Sequence, residues 1–269
     1  MTDRMNSSEL AQLARASAVR MVASAKASHV GSSLSMIDIL SVLYSGVADV
    51  SASNINSPLR DVVIVSKGHA AAGTYAVLGH AGFFPESWFE EFCIDGGRLT
   101  GHVTAGTVPG IELSTGSLGH GLAFGSGVAI SAQRDGNKRR IFVLMSDGEC
   151  DEGSVWETAL FASHHNLNNL TAIIDRNGLQ SFGSTESTLA LEPLDAKWEA
   201  FGWQVLHVDG HDHPSLREAL KSPGNQPSVI VADTIKGKGV SFMEGQVAWH
   251  YKSPDDVELG RALSELASE

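Results

Sequence analysis

Cysteine is nearly absent: the 269 residues contain two, Cys93 and Cys150. Two distant thiols exclude a disulfide scaffold and a thiolate zinc cluster, and they are expected to be reduced, as in a cytoplasm. Positive charge is also scarce, with 19 Lys+Arg against 31 Asp+Glu and a net charge of −12. That balance excludes an electrostatic grip on nucleic acid or an anionic membrane. No apolar run approaches the ~20 residues of a membrane span. Met1-Thr2-Asp3-Arg4-Met5-Asn6 also lacks the basic-then-apolar pattern of a signal peptide. Proline is limited to 8 residues, while 28 Gly and a 42% hydrophobic fraction are ordinary globular values that exclude collagen and disorder. A soluble cytoplasmic protein of one α/β domain, residues 1–269, is expected, with a helical tail from about Pro254.

Short apolar runs rich in β-branched residues occur at 62–65, 141–145, 170–174, 204–208 and 228–232. Continuously apolar strands separated by helix-length segments predict a doubly wound, mainly parallel sheet with helices on both faces. Leu10, Leu13, Ala14, Met21 and Val22 predict a helix over 8–27 capped by Ser7 or Ser8. A second helix is expected to open at Ser35, with Asp38 three residues on. Residues 69–79 and the stretch after Pro254 also read as helix, and His213-Pro214 as a helix start. In such sheets ligands bind beyond the strand C-termini, so chemistry is sought there.

Two loops stand out at that edge. Ser146-Asp147-Gly148-Glu149 follows the second strand and Asp175-Arg176-Asn177-Gly178 follows the third. Asp147 and Asn177 lie thirty residues apart, room for one helical crossover, so both emerge at the same edge. A carboxylate and an amide oxygen are hard ligands suited to magnesium, whose shell is often completed by phosphates, and Gly148 lets a backbone N–H approach one. Taken singly, each dipeptide reads better as a turn; as a pair at this spacing the two favour a site. The segment from Gly116 to Gly127 has neither a P-loop nor a dinucleotide fingerprint, and Gly125 and Gly127 suit close helix packing. Lys236 and Lys238 read as a solvated turn or as cations beside a phosphate.

An Asp-Gly followed about thirty residues later by Asn resembles the thiamine diphosphate signature, and the surroundings resemble the diphosphate-binding half of transketolase. Ala27-Ser28-His29-Val30-Gly31, Ser66-Lys67-Gly68-His69-Ala70 and Gly101-His102 are similar to the family's three histidine motifs. Residues 115–121 are similar to its glycine-rich segment and 147–153 to its metal loop. Residues 236–240 followed by Trp249-His250 resemble its last strand and closing histidine. The resemblance implies thiamine diphosphate with Mg2+ or Ca2+, the metal held by Asp147, Asn177 and the main-chain carbonyl of Leu179. It assigns His69, Gly116, Ser117, Leu118, Gly148, Glu149, Asn177 and His250 to the cofactor. His29, His102 and His250 would face the reacting atoms, and Glu152 would lie near a subunit interface, coupled to the partner's acid. His120 stays open between a cofactor contact and a helix cap. His80, His164, His165, His207, His211 and His213 match no motif and read as structural.

The resemblance stops at the first half of the family's chain. It therefore implies a second, C-terminal subunit that supplies the pyrimidine-binding domain, in an α2β2 assembly. The implied reaction is transfer of a two-carbon ketol unit from a ketose, phosphorylated in the simplest case, to an aldose. Alternatives on the same half-domain are a 1-deoxyxylulose-5-phosphate synthase-like or 2-oxo acid dehydrogenase α-like subunit. The others are an unrelated magnesium-dependent phosphate-ester binder and a non-catalytic cofactor-binding subunit.

Overall fold

The computed structural model describes residues 4–221 and 224–268. Five strands, β1 (Val62–Val65), β2 (Ile141–Ser146), β3 (Leu170–Arg176), β4 (Gln204–Asp209) and β5 (Ser228–Asp233), form one sheet in the order β1-β2-β3-β5-β4. Every pairing is parallel, with Val65 opposite Leu144, Leu144 opposite Ile173 and Ile173 opposite Ile230. All five predicted strands are present. The expectation that each is buried on both faces fails for β4, which lies at the sheet edge and is only partly covered.

The helices are α1 (Ser7–Ala25), α2 (Val30–Ser35), α3 (Ile37–Val42), α4 (Ala71–His80), α5 (Gly121–Arg134), α6 (Gly153–His164), α7 (Thr185–Thr188), α8 (Leu194–Ala200), α9 (His213–Lys221) and α10 (Asp256–Leu266). Because strand side chains alternate, Val63, Val65, Phe142, Leu144, Ile173 and Ile230 share a core with α1, α3, α4, α9 and α10. Their neighbours Ile64, Val143, Met145, Ala172, Ile174 and Val229 pack with α5, α6 and α8. Handedness accounts for the helix that leads into each next strand, while α4, also between β1 and β2, packs on the face of α1 and α3. As the chain steps outward from β1 to β4 it lays α5, α6 and α8 on one face, and as it steps back to β5 it lays α9 on the other. Gly125 sets the α5 distance, since a Cβ there would fall 2.6 Å from Val143 Cγ2, whereas Gly127 faces open space.

Two local expectations are corrected. The cap of α1 is Asn6, whose side chain accepts from Ser8 N–H at 2.9 Å, while Ser7 is buried inside the helix. Ser35 does not open a helix but closes α2, because its hydroxyl is committed to the Ser32 carbonyl and, at 2.6 Å, to the buried Asp175 carboxylate. The tail helix is as expected, and Asp255 and Glu258 close a capping box on α10.

Candidate active site

The loops after β1, β2, β3 and β5 meet at the C-terminal edge of the sheet around a cavity of about 240 Å³. Asp147, Gly148, Asn177 and Leu179 line it, together with His29, His69, His102, His250, Gly116, Leu118 and Lys236. His29 lies 5.0 Å from His250, 5.3 Å from His69 and 5.8 Å from His102, centroid to centroid. His29 reaches this position by adopting left-handed backbone (φ 73°), held there by its N–H donating to the His250 carbonyl at 2.8 Å. Residues 29 and 250, distant in sequence, are thereby fastened together at the cavity.

Asp147 is buried at the end of β2, and its two carboxylate oxygens accept from Gly148 N–H at 2.8 Å and Gly178 N–H at 2.6 Å. Burial, reinforced by the neighbouring Asp175, raises its pKa to about 6. Asp175 behaves oppositely. Burial pushes it up, but the Lys67 ammonium and hydrogen bonds from Lys67, Ser35 and Thr234 outweigh that and hold it below the usual carboxylate range. The Arg176 guanidinium stands 3.6 Å from Asp147 and pairs with Glu192 on its far side.

The histidines share the cavity with two cations, and burial plus their charge keeps three of them neutral. His29 is lowered to about 4 by burial, then by His102, Lys236 and Lys67, and His250 to about 3 by burial, then Lys236 and His29. Burial, then Lys67, holds His69 well below its ordinary value. Lys236, 2% exposed, donates to the carbonyls of Leu179 (3.1 Å) and Gln180 (3.2 Å) and to His250 Nδ1 (3.1 Å). Burial and Lys67 lower its pKa to about 8.

The oxygens on the Asp147 wall suit a hard divalent cation. Asn177 Oδ1 and the Leu179 carbonyl each already accept one N–H, from Leu179 and Lys236, and each retains a second lone pair. Among the described residues no group of three or more His, Cys, Asp or Glu converges as a metal centre. With Asp147 as the one carboxylate lining the cavity, a cation here would be completed by amide and main-chain oxygens and by oxygens of its ligand, as magnesium with a diphosphate is. Lys236 and the neutral imidazoles complement an anion beside it, while the Lys67 charge is matched by Asp175.

Not every expected residue reaches the cavity. Glu149 is fully buried behind it, turned inward by a 3₁₀ turn, and accepts from Ser66, from Gly119 N–H at 2.9 Å and from Ser146 N–H. Ser117 and Glu152 are exposed and lie off the wall. His120 sits at the cap position of α5, with its Nδ1 3.1 Å from the Ser117 and Leu118 carbonyls and no cap bond to the helix. Lys236 is in the cavity and Lys238 is not. Residues without an expected role also line it: Lys67, Ser32, Gln180, Ser181 and Tyr251. Lys67 stands inside a recognised histidine motif, which is the one signal that marked it.

A parallel α/β sheet with an oxygen-rich wall, cations and histidines at its carboxyl edge defines a diphosphate-binding domain. The family described as "Transketolase, thiamine diphosphate binding domain" matches residues 6–262, and the chain belongs to the transketolase family. It is 45% identical over 243 residues to an apulose-4-phosphate transketolase subunit of Actinobacillus succinogenes, covering 90% of this chain and 88% of that protein. It is 38% identical to a 6-deoxy-6-sulfo-D-fructose transketolase subunit of Clostridium sp., covering 90% of this chain and 89% of that protein. The transketolase structure from Campylobacter jejuni superposes with a TM-score of 0.90 at 29% identity, covering 98% of this chain and 43% of that one. The chain thus spans less than half the length of such transketolases.

Proposed function

We propose that this chain is the diphosphate-binding subunit of a two-chain transketolase, transferring a two-carbon ketol unit from a ketose, phosphorylated in the simplest case, to an aldose. The observation that carries the reading is the single cavity uniting Asp147, Asn177 and the Leu179 carbonyl with His29, His69, His102 and His250. Near-complete coverage of two relatives named as transketolase subunits supports a partner chain bringing the pyrimidine-binding half, in an α2β2 assembly. The two unpaired cysteines suit a reducing cytoplasm, and no helix among the described residues is long and apolar enough to cross a membrane.

In this reading Asp147, Asn177 and the Leu179 carbonyl hold Mg2+, with Ca2+ as a substitute, and Gly148, His69 and His250 hold the diphosphate. Gly116 and Leu118 contact the aminopyrimidine side. Bound thiamine diphosphate supplies the carbanion chemistry. His29 and His250, kept neutral, are free to accept or donate a hydrogen bond to donor hydroxyls, and His102 stands across from them to move a proton at the reacting carbonyl. Glu152, exposed at the start of α6, faces the partner rather than the substrate.

The test is calorimetric titration of thiamine diphosphate with Mg2+ into this chain, alone and mixed with candidate partner subunits, followed by a ketol-transfer assay. Tight binding and turnover in the mixture are expected. Full activity of this chain alone, or absence of cofactor binding in every mixture, overturns the reading. Release of carbon dioxide from pyruvate moves it to a decarboxylating relative of the same half-domain.

A further inference from the structure

Outside the cavity, the residues that no motif explained form a connected device. His211, in the loop after β4, places Nδ1 2.6 Å from Asp38 Oδ2, and its Nε2 accepts the Ile235 N–H at 2.8 Å. An Nε2 that accepts must be unprotonated, so the ring carries its proton on Nδ1 and donates it to Asp38. Asp38 is buried on α3 and is held in place by Arg15 of α1 and by His213 Nε2 of α9 at 2.9 Å. The imidazole is thus oriented by a carboxylate that three elements fix, and it delivers one acceptor to one main-chain amide. That amide belongs to the residue before Lys236, whose ammonium ties the Leu179 and Gln180 carbonyls to His250. The turn is also anchored by Thr234, whose hydroxyl donates to Asp175 and whose N–H donates to Arg176 O at 3.1 Å, by Gly239 N–H to Glu244 Oε1 at 3.0 Å, and by the main-chain bonds Gly237 N–H to Gly31 O at 3.0 Å and Gly245 N–H to Lys236 O at 2.9 Å, so that His211 is the side chain that holds the Ile235 amide itself.

We propose that His211 is a positioning residue for the candidate active site: oriented by Asp38, it fixes the Ile235 amide and thereby the place of Lys236 in the cavity. This inference rests on the functional reading above. Its consequence is that cofactor affinity depends on a side chain that touches no ligand.

The experiment compares wild type, His211→Leu and His211→Gln, each with the partner subunit, by titration with thiamine diphosphate and Mg2+ and by thermal unfolding. The Leu variant loses both bonds of the ring, whereas the Gln carboxamide keeps an acceptor and an N–H donor, so unfolding is measured on both to separate stability from affinity. Only the Gln variant keeps an acceptor opposite Ile235, so the Leu variant is expected to bind about tenfold more weakly and the Gln variant to recover most of that loss. Equal affinity in the two variants, at or below the wild-type level, overturns the inference. Should the Leu variant not fold, the long-range ¹H–¹⁵N spectrum of the wild-type rings decides. A proton on Nδ1 of His211 supports the inference, and one on Nε2 overturns it. A wild-type complex that binds no thiamine diphosphate overturns the functional reading and the inference falls with it, whereas normal wild-type binding with an unaffected Leu variant overturns the inference alone.

Discussion

Lys67 and Asp175 form an ion pair in which neither side chain has any solvent exposure, directly behind the wall that presents Asp147. The main chains are also joined there, with Asp147 N–H donating to the Asp175 carbonyl at 3.3 Å. Removing one partner of such a pair leaves a buried charge without compensation. Lys67→Met is therefore expected to destabilise the chain by about 3–5 kcal/mol, measured by urea unfolding. A loss below about 1 kcal/mol, the range of an exposed pair, contradicts the assignment.

Three neutral histidines make the fold acid-sensitive. His29, His69 and His250 have folded-state pKa values below 6.5, so between about 6.5 and about 4 the unfolded chain binds protons that the folded chain refuses. Stability is expected to fall as pH drops through that window. In His250→Gln the fall between about pH 7 and about pH 5 becomes shallower. Parallel unfolding curves for wild type and variant speak against it.

Lys236 gives the same sign at the alkaline end. Its folded pKa of about 8 lies below 10.5, so from about 8 upward the folded chain loses a proton that the unfolded chain keeps, and stability rises with pH. Cofactor affinity, which uses the ammonium, falls over the same range. Lys236→Met is expected to lose both trends, checked by unfolding and by calorimetry at several pH values.

Gly116 has φ +146°, and a Cβ there would lie 2.6 Å from His102 Cδ2. Gly116→Ala therefore displaces the His102 ring and lowers turnover. Added to His102→Ala, it is expected to cost less than it does alone, because the ring it would push is gone and only the strain at φ +146° remains. Additive losses in a double-mutant cycle refute the coupling.

Asp147→Ala and His102→Ala separate binding from chemistry. The first is expected to abolish metal-dependent cofactor binding, and the second to lower kcat with affinity nearly unchanged. Equal cofactor affinity in wild type and Asp147→Ala removes the metal assignment.

The strands were legible because parallel strands buried on both faces write themselves as short apolar runs, and β4, half-covered at the edge, still keeps Val205, Leu206 and Val208. Asp147 and Asn177 were legible because each closely follows such a run. The partners of the charged residues were not. Lys67 pairs across 108 residues and Ser35 reaches Asp175 across 140, so neither the ion pair nor the early end of α2 has a local signature. Glu149 follows Asp147 by two residues, yet a 3₁₀ turn sends one carboxylate to the cavity and the other to Gly119. His211 and His213 read as scattered histidines until Asp38 gathers them.

The main-chain bond from His29 to His250 has a consequence for the order of events in the cell. A ribosome that has made the first four strands has supplied most of the residues that line the pocket, but not β5, on which β4 pairs, nor Lys236 and the closing histidine. The site comes into being only after residue 250 has emerged, so loading of a ligand there is a late event in biogenesis, and chains arrested before that point are blind to it.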